Sequence, residues 1–139
     1  MTKRNNTYYA WLGELSRHGW DADKTDSVKF NHGSETEKHV HAKTATCLLL
    51  KGHGYRVDTE VTHAERGEID VIAIPCDGEE HPFCIELETS PTEETISDKV
   101  ERYHNGTPFR DIFIINVSEL PTDILEMRAQ IAAELGFQP

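Results

Sequence analysis

The chain is short of bases and of long apolar runs, and each shortage excludes a class of protein. Fourteen lysines and arginines stand against 25 aspartates and glutamates, a formal charge of -11 at pH 7 over 139 residues. That sign repels phosphates at long range. Either the chain binds no nucleic acid, or its acidic surface is a halophilic adaptation to very high salt. At 1 M salt the Debye length falls to about 3 Å and net charge loses its reach. The acids are spread along the whole chain rather than gathered in a tail, which suits a general surface property. No stretch approaches the roughly 18 to 20 apolar residues that a bilayer crossing needs, so no membrane association is expected. The opening residues carry bases but no continuous apolar stretch and no small-residue cleavage site, unlike a signal peptide. Three cysteines, an odd count, predict reduced thiols in an intracellular, cytoplasmic protein. There is no internal repeat, Gly-rich phosphate loop, Ser/His/Asp set or dinucleotide fingerprint.

What is present suits one core: 37% hydrophobic residues in a chain of ordinary single-domain length. Residues 1–33 read as a polar N-terminal extension with a short helix at Tyr8–Leu15 and a turn at Asn31, His32 and Gly33. Regular signals fill 34–139. Ser34 or Thr36 can cap a helix running to about Lys51, with Ser34 and Glu37 at capping-box spacing. The apolar end of that helix, from Ala45 to Leu50, predicts burial on more than one side, with Cys47 in the core. Tyr55–Val61, Glu68–Ile74 and Phe83–Glu88 read as strands, the last two joined by a turn from Pro75 to Pro82. A helix from about Thr92 to His104 follows, with Ile96, Val100 and Tyr103 on one face. Asp111–Val117 reads as a strand. Pro121–Leu135 reads as an amphipathic helix with Ile124, Met127, Ile131 and Leu135 inward. This α-β-β-β-α-β-α order implies an α/β fold with a mixed sheet flanked by helices.

The second and third strands carry the chemistry. In an antiparallel hairpin Asp70 falls opposite Glu86, or opposite Glu88 if the register moves by two. Side chains alternate across a sheet, so all three acids share a face under either register. Like charges facing across a strand pair destabilise it, and a divalent cation removes that penalty. A site of carboxylates, a backbone carbonyl and waters suits Mg²⁺ (or Mn²⁺), which can polarise a phosphoryl group. The plain alternative is that these acids sit in solvent at strand ends, and it is strongest for Glu88.

The run Gly67-Glu-Ile-Asp70-Val-Ile-Ala, a turn, then Cys84-Ile-Glu86-Leu-Glu88 resembles the core of the PD-(D/E)XK nuclease superfamily. That superfamily includes archaeal Holliday junction resolvases and restriction enzymes. The resemblance covers about Ser34 to Val117 and implies a restriction endonuclease-like αβββαβ core. It implies Mg²⁺ held by Asp70 and Glu86, with Glu37 as a helical acid in the set. The lysine that the superfamily carries two residues after the Glu is Glu88 here. Some members supply it from the following helix, where Lys99 lies about 60° from the Ile96, Val100 and Tyr103 stripe. The segment from Ile85 to Tyr103 is also similar to the nuclease-like domain of plasmid replication–relaxation proteins. The plain alternative for Lys99 is a surface lysine paired with Asp98 or Glu101, worth little energetically. Symmetric homodimers are common in the superfamily, and the resemblance implies that arrangement only weakly.

Other constellations are weaker. Arg66 and Lys43 are the best candidates for phosphate contacts, although a solvated charge is the simpler reading of each. His41, four residues after Glu37 on one helix face, is a candidate to orient a water or contact phosphate. His39, His53 and His63 have no evident partner. Cys76, His81 and Cys84 straddle the hairpin turn, but they lack a fourth zinc ligand and read as a polar turn with one buried cysteine. Three functions compete. The first is a metal-dependent endonuclease acting on branched or duplex DNA. The second is a nuclease-fold nucleic-acid-binding or replication-accessory module that lost the chemistry. The third is a protein-interaction domain.

Overall fold

Glycine and capping signals set the first boundaries. The computed structural model describes residues 3–22, 28–29, 35–77, 80–104 and 107–138. The turn expected at Asn31–Gly33 and the alternative cap Ser34 lie outside the described residues. Helix α1 spans Lys3–Arg17, longer than the Tyr8–Leu15 segment expected, and a two-residue strand β1, Trp20–Asp21, follows it. Gly19 joins them at φ 89, a conformation that glycine adopts without a Cβ penalty. Helix α2 runs Glu37–Gly52 and is capped by Thr36, whose hydroxyl accepts from His39 N at 3.1 Å.

Strands β2 (Arg56–His63), β3 (Gly67–Ile74) and β4 (Phe83–Glu88) follow, then helix α3 (Glu93–His104) and strand β5 (Asp111–Asn116). A 3₁₀ turn at Val117–Glu119 leads to helix α4 (Ile124–Leu135), which begins on an Asp123 cap and stops at left-handed Gly136. The five strands form one mixed sheet in the order β1-β2-β3-β4-β5. All neighbours are antiparallel except β4 and β5, which α3 connects in parallel.

Both faces of the sheet are covered. Helices α2 and α4 pack on one face against Val57, Val71, Ala73, Ile85 and Leu87. Helix α1, with Trp20 and Tyr103, covers Ile72, Ile74 and Cys84 on the other. The polar N-terminal segment thus supplies part of the core through Tyr8, Leu12 and Leu15.

The apolar end of α2 is buried on more than one side as expected, through Ala45, Cys47, Leu49 and Leu50, with Leu48 exposed. Two expected faces are corrected. Ile124, the first residue of α4, is exposed while Met127, Ile131 and Leu135 are buried. On α3, Ile96 and Val100 are exposed and only Tyr103 of the expected stripe is buried. The Tyr103 hydroxyl donates to the Glu68 carbonyl at 2.9 Å and the Lys99 ammonium to Glu86 at 2.8 Å. Lys99 and Tyr103, four residues apart, therefore turn the helix toward the sheet.

Alternation along β2 and β3 breaks at one level. Val71 packs with α2 and α4, yet Ile69, two residues away, packs on the opposite face with Ile72. The same switch separates Val57 from Val61 on β2. Thr59 pairs with Val71 and Val61 with Ile69, leaving Glu60 and Asp70 facing each other outside the ladder. Glu60 has φ 52, in the left-handed region, at a cost of about 1–2 kcal/mol for a residue with a Cβ. This distortion frees both acids from the regular pleat at the place where the site forms.

Candidate functional site

The β3–β4 ladder runs through Ala73–Phe83, Ile72–Cys84 and Val71–Ile85, and the same register brings Asp70 opposite Glu86. Beyond Val71 the backbone pairing stops, and the two carboxylates replace it. The Asp70 amide donates to Glu86 Oε2 and the Leu87 amide donates to Asp70 Oδ2, each at 2.8 Å. Amides left over by the interrupted ladder are satisfied by the acid of the opposite strand. This fixes both carboxylates.

Helix α3 adds a cation. Lys99 Nζ lies 2.8 Å from Glu86 Oε1 and also pairs with Glu88. From α2, His39 Nε2 reaches the Leu87 carbonyl at 3.0 Å and faces Asp70 Oδ2 at 3.9 Å, while its Nδ1 meets Glu35 Oε2 at 2.9 Å. A carbonyl and a carboxylate are both acceptors, so both ring nitrogens carry hydrogen and His39 is an imidazolium. Behind it, the fully buried Lys43 ammonium contacts Glu35 Oε1 at 2.5 Å, the Lys29 carbonyl at 2.7 Å, and Glu60. The cleft so formed holds about 300 Å³, with Glu35, Glu60 and Glu68 in its wall besides the groups already placed.

The electrostatics follow from crowding. Burial, then the Asp70 charge, pushes Glu86 up to about 8. Burial also works against Asp70, but the His39 ring and the Leu87 amide outweigh it and hold Asp70 below its ordinary value. The Asp70 carboxylate, with help from Glu35, raises His39 to about 9 against the pull of burial. Burial opposes the charge on Lys99 too, yet Glu86 and Glu88 hold its pKa well above the usual lysine range. Glu60 rises to about 7 through burial and then its hydrogen bond to Glu68.

Of the residues singled out in the sequence, the structure brings Asp70, Glu86, Glu88 and Lys99 into one cleft. Lys99 pairs with Glu86 and Glu88 there, in place of Asp98 or Glu101. The Glu37 side chain is 89% exposed and faces His41 at 3.9 Å, and neither lines the cleft. Glu35, two residues earlier, occupies the cleft instead. Lys43 is an interior ion-paired lysine, neither a solvated charge nor an open phosphate contact. Arg66 donates to the Arg102 carbonyl at 2.6 Å at the β2–β3 turn, away from the cleft wall. Cys76 and Cys84 are both buried and free, where one buried cysteine was expected, and His81 packs against the Trp11 ring at 5.0 Å.

Glu35, His39, Glu60 and Glu68 are site residues that sequence reasoning missed. For Glu60 the signal exists: the hairpin pairing that sets Asp70 against Glu86 also sets Glu60 against Asp70 when applied to β2. For Glu35 and His39 it is the same four-residue spacing that singled out Glu37 and His41, displaced by two.

The donor set is oxygen-rich, with every cysteine elsewhere, and suits a hard cation. Among the described residues no three His, Cys, Asp or Glu side chains are grouped as a metal-ligand set. Lys99 and the two amides engage Glu86 Oε1, Glu86 Oε2 and Asp70 Oδ2. Comparison with protein-family models, curated proteins and solved structures gives no match to the chain.

Proposed function

We propose that this cleft is the active site of a metal-dependent nuclease that hydrolyses DNA phosphodiester bonds, built on a restriction endonuclease-like core. The observation that supports it best is the Lys99 ammonium 2.8 Å from Glu86, beside Asp70, because the lysine missing at position 88 is supplied by α3. Asp70 and Glu86 are the residues that would hold Mg²⁺ or Mn²⁺, which when bound polarises the phosphoryl oxygens.

The chain's own groups divide the remaining work. Lys99 keeps its proton, so it serves as a charged donor to a phosphate oxygen and not as a base. Glu88, which pairs with Lys99 and is only partly covered, would accept the proton of the attacking water in this reading. His39 and the Leu87 amide hold Asp70 ionised and oriented. The acidic surface is compatible with DNA at high salt, where repulsion is screened.

A second reading is favoured by Glu88 in the lysine position. Lys99 pairs with Glu86 and Glu88 as they stand, which suits a DNA-binding or replication-accessory module on the same fold without the chemistry. Cleavage of linear and branched DNA across a salt series, with Mg²⁺ or Mn²⁺, separates the two. The nuclease reading predicts cleavage that Asp70→Asn abolishes. Intact DNA under every condition, or equal cutting by Asp70→Asn, overturns it, and metal-independent binding selects the module.

A further inference from the structure

A buried ammonium normally requires close anionic partners, because moving it out of water costs several kcal/mol. Lys43 has no exposed surface and sits between Glu35, which precedes α2, and Glu60, the left-handed residue of β2. The other Glu35 oxygen takes the Nδ1–H of His39, whose Nε2–H is on the Leu87 carbonyl beside Asp70. Lys43, Glu35 and His39 therefore form one continuous chain from the interior to the cleft.

We propose that Lys43 is a positioning residue for the cleft: through Glu35 it fixes the His39 ring on the end of β4 and against Asp70. Lys43 touches no substrate space itself. Its ammonium holds the Glu35 carboxylate in one orientation, and that carboxylate sets the ring plane of His39. The Lys43–Glu60 pair also ties the chain to the β2 distortion opposite Asp70, so the same ammonium serves both sides of the site. The importance of the ring position rests on the proposed nuclease reading; the coupling itself does not.

The test is the His39 Nδ1 proton resonance in the 139-residue protein, without metal or DNA. Assignment comes from its loss in His39→Ala. Lys43→Met is combined with Glu60→Gln, so that no unpaired carboxylate faces the new apolar side chain. The proposal predicts that this pair shifts the resonance or broadens it by faster exchange with water, whereas Glu60→Gln alone leaves it in place. An unchanged resonance in the pair overturns the proposal. If the pair does not fold, Glu35→Gln reads the chain from its middle. It must move both the His39 ring signal and the Lys43 ammonium signal, and movement of only one overturns the proposal. A wild-type protein that cuts no DNA would defeat the nuclease reading and leave this coupling standing.

Discussion

Asp70 and Glu86 exchange carboxylate-to-amide hydrogen bonds across the open end of the β3–β4 ladder: Asp70 N reaches Glu86 Oε2, and Asp70 Oδ2 accepts from Leu87 N, both at 2.8 Å. Two acids are thereby held side by side in a half-enclosed cleft. The nearest compensating charge for Glu86 is Lys99, and the stability and chemistry of the site turn on that pair.

Lys99→Met removes the cation from a carboxylate that is almost fully buried. At pH 8 the expected loss of stability is about 1–3 kcal/mol, because Glu86 is then left charged beside Asp70 or must take up a proton. At pH 5 Glu86 is already protonated and the loss is smaller. Thermal melting of the variant at both pH values checks this, together with a predicted fall in DNA cleavage of about 10²-fold or more.

Stability should also decline as the solution becomes alkaline. Glu86 rises from 4.5 to about 8 on folding and His39 from 6.5 to about 9. Both folded-state values are raised, so each contribution is fully present below the unfolded value and lost as pH rises through the folded one. Asp70 is lowered, so its contribution is present above its ordinary 3.8 and lost on acidification. The melting temperature is expected to peak at about pH 4, between the unfolded Asp70 and Glu86 values, and to fall toward pH 9. Glu86→Gln should flatten the decline below pH 8.

Glu37 and His41 pair with each other in solvent, outside the cleft. Glu37→Ala and His41→Ala are expected to leave Mn²⁺ affinity unchanged and to alter stability by no more than about 0.5 kcal/mol. Titration calorimetry of each variant beside wild type is the check.

The element order from α2 onward and the shared face of Asp70, Glu86 and Glu88 were legible because hydrophobic period and turn residues are local signals, whereas the choice between Glu86 and Glu88 as the partner of Asp70 is made by the observed β3–β4 ladder. The break in alternation at Glu60 and Asp70 was not legible. A left-handed glutamate is unfavourable locally and is held by Lys43, a residue on another element. Nor did the apolar stripe on α3 foretell its orientation. Ile96 and Val100 are exposed because Lys99 and Tyr103 have partners on the sheet, and polar pairing outweighed periodicity. The short helix at Tyr8–Leu15 was legible, but its place in the core was not: its buried Tyr8, Leu12 and Leu15 are few and set in polar sequence, and only the sheet face they cover makes them a core.

A crystal structure of the protein soaked in Mn²⁺, read by its anomalous difference density, tests the central claim most directly. The account predicts a single strong peak ligated by both Asp70 and Glu86 and lost in Asp70→Asn. No peak in the cleft, or a peak that neither carboxylate touches, would contradict it.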